Sequence, residues 1–241
     1  MSDNVFDQVA PDYVTIHNRS LPPGVQSDDF VRQKAEMVTC WIREGDHGGE
    51  FRYLDFGCGN GRLFRQLQES SGLAPMFAQD RLLLHGFDTS TVSLQEAVHI
   101  AGPDRVRLTG NFSALPKEYF DFIISCNVFH HIPPAARPAT ACGLLACLRP
   151  GGRLVIWEHN PFNPATRMLV RLCPFDGDAC LMTLTTTRRL FEKVGLRHLR
   201  HQYVNILPPG LQRFRAVAIM EKGLHRLPSG SQYWMMFGRD R

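Results

Sequence analysis

This chain of 241 residues predicts an α/β fold built on a doubly wound, mostly parallel sheet. Three observations carry that expectation. Short apolar strands alternate with amphipathic helical segments from about residue 51 to residue 159. The segment "YFDFIISC" is apolar without alternation, as a strand covered on both faces must be. The stretch "YLDFGCGNGRL" runs from a strand straight into three glycines, a loop suited to close approach of a ligand at a strand's carboxyl end.

The elements follow in order. Residues 1–30 read as irregular, with "LPPG" breaking any helix. Phe30, Val31, Ala35, Val38 and Ile42 then recur at helical spacing, with Asp28 or Asp29 as expected N-cap. "FRYLDF" is the first strand, "GRLFRQLQES" a helix, and "SSGLAPMFAQDR" an enlarged loop. "LLLHGFD" is the second strand, followed by a helix capped by Thr89 or Ser90. "DRVRLTG" and "YFDFIISC" are strands three and four. "PATACGLLACL" is a helix stopped by "RPGG", and "RLVIWEH" is the fifth strand. Beyond residue 159 the rhythm breaks into an insertion, about 160–185, with a helix at 164–172. "TTTRRLFEKVGL" is a helix, "RHLRHQYVNI" a strand, "QRFRAVAIMEKG" a helix and "QYWMMFG" the last strand. The organisation expected is a single domain at 46–241 with a helical cap segment at 1–45. A long ordered insertion in such a domain suggests a lid or substrate wall.

Composition narrows the function classes. A net charge of +4 without clustered basic runs does not describe a nucleic-acid surface. No apolar stretch approaches the roughly 20 residues needed to span a bilayer, so no membrane partner is expected. The acidic start lacks a secretory pattern. Seven cysteines, an odd number with no CxxC pair, read as free thiols of a cytoplasmic protein, with no metal expected.

The glycine loop discriminates between ligands. Gly57, Gly59 and Gly61 form GxGxG rather than the dinucleotide pattern GxGxxG, and no GK[ST] follows to make a phosphate loop. Asp55, two residues ahead, repels a pyrophosphate and suits a ligand carrying an amine. Gly61 is expected to let the next helix start tight against the strand. Asp88, ending strand two, can accept from both hydroxyls of a ribose. A helix N-cap is its alternative role.

In this order, "LDFGCGNG", "HGFDTS", "FDFIISCNVFHHI" and "LRPGGRLVI" make the chain resemble class I S-adenosylmethionine-dependent methyltransferases over about residues 50–160. The resemblance implies a Rossmann-like seven-stranded sheet, order 3-2-1-4-5-7-6, with one antiparallel strand. It implies S-adenosyl-L-methionine (SAM) as methyl donor. It maps Gly57, Cys58, Gly59 and Gly61 onto the family's loop, with Asp55 near the methionine moiety. Asp88, with Thr89 beside it, takes the ribose, and Asn111 with Phe112 flanks the adenine. Cys126 and Asn127 line the cofactor near its sulfur. The opening "FDQVAPDYVTIHN" resembles that of small-molecule members, which makes Tyr13, His17 and Asn18 candidates for the cofactor or acceptor wall.

A methyl acceptor with an acidic hydrogen needs a base. His130, Glu158 and His159 stand at strand ends and are the catalytic candidates. His131 is read as a packed ring at the edge of the substrate site. The insertion offers Arg167, Arg171 and Asp176; Arg167 and Arg171, four residues apart, are candidates to hold an anionic acceptor group. The (N/D/S)PP(Y/F/W) tetrapeptide of amino-methylating DNA enzymes is replaced after strand four by "SCNV", and the doubled-Glu pattern of arginine methyltransferases is missing. The expectation is therefore a monomeric or homodimeric enzyme that methylates an O, N or C atom of a small-molecule metabolite. A nucleic-acid or protein methyltransferase, a non-catalytic SAM-binding regulator and a nicotinamide-dependent oxidoreductase are the alternatives.

Overall fold

The structure is a computed structural model. It describes residues 7, 15, 18, 21, 26–173, 176–177, 179–206 and 228–240. The expected helix "QRFRAVAIMEKG" lies outside them, as do Tyr13 and His17.

The described elements are α1 (Ser27–Gly45), β1 (Phe51–Phe56), α2 (Arg62–Gln68), α3 (Ala74–Ala78), β2 (Leu82–Phe87), α4 (Thr91–Ala101), β3 (Val106–Thr109), β4 (Phe120–Cys126), α5 (Arg137–Cys147), β5 (Leu148–His159), α6 (Pro164–Leu172), α7 (Leu184–Lys193), β6 (Arg197–Val204) and β7 (Gln232–Gly238). The seven strands form one sheet of order β3-β2-β1-β4-β5-β7-β6, as the resemblance implies. The first five are mutually parallel; β7 runs antiparallel to both β5 and β6.

Alternate side chains of each strand enter opposite cores. Phe51 and Tyr53 of β1, Phe122 and Ile124 of β4, and Trp157 of β5 pack with Val38, Trp41 and Ile42 of α1. The Trp41 ring centroid lies 6.2 Å from that of Phe122 and 4.8 Å from that of Trp234. On the other face Leu54, Ile123, Ile156 and Phe237 pack against Leu144 of α5 and Phe191 of α7. Because these five strands are parallel, their carboxyl ends share one edge of the sheet.

The structure moves some element ends. The cap of α1 is Gln26, not Asp28 or Asp29: a capping box links Gln26 and Asp29, whose Oδ2 accepts the Gln26 N–H at 3.1 Å. Both acids sit in the first turn, where the helix dipole favours them. Ser90, rather than Thr89, caps α4 by accepting the Ser93 N–H at 3.0 Å. The loop "SSGLAPMFAQDR" contains α3, which starts at a Pro-bearing first turn and buries Met76. "RPGG" does not separate helix from strand, because β5 already begins at Leu148.

Candidate active site

Above that edge lies a cavity of about 640 Å³, lined by α1, the glycine loop, the ends of β2, β4 and β5, and α6. The glycine loop forms its floor. Gly57, Gly59 and Gly61 all have positive φ. At Gly61 a Cβ would lie 2.9 Å from Ala97 Cβ, so this glycine admits α4, not a strand, against the start of α2. At Gly59 a Cβ would meet nothing within 4 Å, although its φ is +51°. Its open side is a cradle facing the cavity.

Asp88 fastens this loop to β2. One carboxylate oxygen accepts the Gly59 N–H at 2.8 Å and the other the Ser90 N–H at 2.9 Å. It also lines the cavity with Thr89. Burial lifts its carboxyl above the usual range, against the backbone amides that hold it.

Asp55 ends β1 beneath the loop, 3% exposed. Its Oδ1 is buried and accepts no hydrogen bond from the described residues. Burial pushes its carboxyl up to about 7, against the pull of Lys34 and with a push from Asp88. Lys34 lines the same cavity from α1, its ammonium 5.6 Å from the centroid of the Trp157 ring. The cavity lining thus offers, among the described residues, an acid whose Oδ1 lacks a donor and, from α1, the Lys34 ammonium. That fits a ligand bearing both an ammonium and a carboxylate, such as the amino-acid end of SAM.

The far half of the cavity is an array of imidazoles and carboxylates. Glu158, fully buried in β5, accepts the Val128 N–H at 3.1 Å and the Phe129 N–H at 2.8 Å. Its other oxygen accepts from His130 Nδ1 at 2.5 Å. Burial opposes a charge on His130, but Glu158 and Asp176 outweigh it and raise the imidazole to about 9. Burial favours the neutral carboxyl of Glu158, and His130 holds it below the usual range instead. Asp176, from the segment after α6, stands 3.3 Å from His131 Nε2 and 3.8 Å from His130 Nε2. The His159 ring centroid lies 5.2 Å from that of His130; burial, and then the His130 charge, pushes it down to about 3. Asn127 and Cys126 join this half. Asn127 has φ +56° and a buried Oδ1 that is unpartnered among the described residues.

Helix α6 closes this half. Asn163 caps it, accepting the Thr166 N–H at 3.0 Å. Asn163, Asn160 and Thr166 also donate to carbonyls of residues 228–231, which hold the helix in place. Thr166, Leu169, Val170 and Cys173 face the cavity.

Several expected positions fall elsewhere. Arg167 and Arg171 are exposed and do not line the cavity, because the inward stripe of α6 is the apolar one. Asn111 is exposed and accepts the Ser113 N–H at 3.0 Å; Phe112 packs 5.1 Å from the ring of Phe56. Neither lines the cavity. Asn18 Oδ1 accepts the Ser27 N–H at 2.8 Å and so serves the start of α1 rather than the cavity wall. Conversely, Lys34, Arg62 and Ser231 line the cavity outside the expected set, and of the insertion's polar residues Asp176 lines it.

A sheet of order 3-2-1-4-5-7-6 with an acid-led glycine loop defines a class I SAM-dependent methyltransferase. A family model described as a methyltransferase domain matches residues 22–201, and the chain belongs to that family. Its enzymatic class is thereby SAM-dependent methyl transfer, with SAM as cosubstrate.

Solved structures share the fold at low identity. A possible histamine N-methyltransferase of Thermotoga maritima aligns with TM-score 0.62 and 14% identity, covering 98% of this chain and 99% of that one. Magnesium protoporphyrin IX methyltransferase of Synechocystis with bound SAH gives 0.62 and 18%, covering 98% of each. Phosphoethanolamine N-methyltransferase 2 of Haemonchus contortus, in complex with SAM, gives 0.60 and 17%, covering 100% of this chain and 59% of that one. No curated protein matches the sequence. No described helix is long and apolar enough to cross a membrane.

Proposed function

We propose that the chain methylates an O, N or C atom of a small molecule held between the glycine loop and the array of His130, His131, His159 and Asp176. The observation that carries this is that one continuous cavity joins the glycine loop to the array. Its floor carries Asp55, the glycine loop and Asp88, its far half carries the array, and α1 and α6 wall both. About 640 Å³ falls within the range of small-molecule sites, roughly 300–1,000 Å³. The relatives named for histamine, magnesium protoporphyrin IX and phosphoethanolamine agree with a small acceptor. The seven cysteines are free thiols, in keeping with action in the cytoplasm.

Bound in the cavity, SAM supplies a methyl group already activated on a sulfonium. The chain's residues bind, align and desolvate. Asp55 takes the ammonium, Lys34 the carboxylate and Asp88 the ribose hydroxyls. The imidazole–carboxylate array orients the acceptor, with Glu158 positioning His130. Arg167 and Arg171 have no part in this reading.

The test is incubation of the full chain with methyl-labelled SAM and cell extract separated into small-molecule, protein and nucleic-acid fractions. Label in a low-mass product is the expected result; label confined to protein or nucleic acid would overturn it. Gly59→Val is a sharper probe of the floor. Its left-handed backbone costs a branched residue about 1–3 kcal/mol of stability, and its side chain enters the cradle. The variant should fold yet lose S-adenosylhomocysteine binding, and wild-type affinity by calorimetry would rule out the cradle.

A further inference from the structure

We infer that His130, His131 and Asp176 form a binding site for one divalent first-row metal ion at the inner end of the cavity. One ligand atom from each of these residues lies within 4.8 Å of the others. Nε2 of both imidazoles faces the same Asp176 oxygen, at 3.8 and 3.3 Å. A metal about 2.0–2.2 Å from each donor needs mutual separations of this size. Two imidazoles and one carboxylate suit zinc, cobalt or ferrous iron rather than magnesium or calcium.

Two further features are those of a built metal site. Glu158 accepts from His130 Nδ1, which leaves Nε2 to face Asp176; a buried carboxylate behind a histidine is the usual support of a ligating imidazole. The segment carrying Asp176 is also tied to the histidine loop. Cys180 donates its N–H to the His130 carbonyl at 2.8 Å, and Arg137 bridges the carbonyls of Ile132 and Cys180. The ligands therefore come from two separate segments held in fixed relation. Cysteine spacing, the sequence sign of thiolate zinc sites, has no bearing on one built from imidazoles and a carboxylate.

All three residues line the cavity, so an ion there keeps open positions toward it. An acceptor whose oxygen or nitrogen can coordinate would fill one of them; this use, unlike the binding itself, rests on the small-molecule reading above.

The full chain, stripped with a chelator, is titrated with Co²⁺ by visible absorption and with Zn²⁺ against a chromophoric competitor. One ion per chain is expected. Glu158→Gln should weaken binding about 10–100-fold, and Asp176→Asn at least as much, while Asp176→Asn retains S-adenosylhomocysteine affinity as proof of folding. Failure to retain either ion, or equal retention by Asp176→Asn and His131→Ala, overturns the site. Label transfer by metal-free protein would show that the small-molecule reading stands without it. Label found in no small molecule would overturn that reading, whatever the metal titration gives.

Discussion

Replacing Asp55 with Asn will stabilise the cofactor-free protein above pH 7 and weaken its hold on S-adenosylhomocysteine. The two effects have one cause. The native carboxyl titrates at about 7 because it is buried, whereas its ordinary value is 3.8. A raised acid pKa means that the unfolded chain releases the proton first. The stability contributed by the neutral form is whole below pH 3.8 and is lost as pH rises through 7. The cost at pH 8 is of order 4 kcal/mol. The Asn variant escapes that cost, so the two melting temperatures should diverge upward from pH 4 to 8.

Cofactor affinity runs the other way. An ammonium on Asp55 requires the carboxylate, so wild-type affinity should strengthen from pH 6 to pH 8, by at most about tenfold per unit. The Asn variant should be flat over that range and weaker at pH 8 by the worth of a charge-assisted bond, about 1.5–3 kcal/mol. Parallel pH profiles for the two proteins in calorimetry would show that Asp55 does not meet the cofactor's charge.

Glu158→Ala should be the most destabilising single change in the site. It strips the acceptor from two backbone N–H groups and from His130, all in a fully buried place. Breaking one side of a buried charged pair costs about 3–5 kcal/mol. Urea denaturation should show that loss, with Glu158→Gln intermediate because its amide oxygen still accepts from the backbone. Wild-type stability in the Ala variant would remove Glu158 from its place as the anchor of the loop after β4.

How legible all this was in the sequence depends on how local each signal is. The sheet was readable because every strand carries its own pattern, and Phe51/Tyr53 against Leu54/Phe56 divides one strand between two cores. That the glycine loop and Asp88 stand at the carboxyl ends of strands was readable because each directly follows its own strand. Lys34 was missed although a signal existed: it interrupts the apolar face of α1 shared by Val31, Ala35 and Val38. Arg167 and Arg171 were assigned to the cavity because spacing shows that they share a face but not which face is inward. Thr166, Leu169, Val170 and Cys173 form the inward stripe, while Met168 and Leu172, 63% and 62% exposed, offer a competing apolar one. Asp176 stood out in the insertion, but nothing local named its partners. Its meaning comes from contact with His130 and His131, 45 residues earlier, and from hydrogen bonds no periodicity encodes.

The central claim is that the acid-led glycine loop holds SAM and not a dinucleotide. Calorimetric titration of the full chain with S-adenosylhomocysteine and, separately, with NAD tests it most directly. One S-adenosylhomocysteine per chain, weakened in Asp88→Ala, with no heat from NAD, is the result predicted. Binding of NAD, or no binding of S-adenosylhomocysteine, would contradict it.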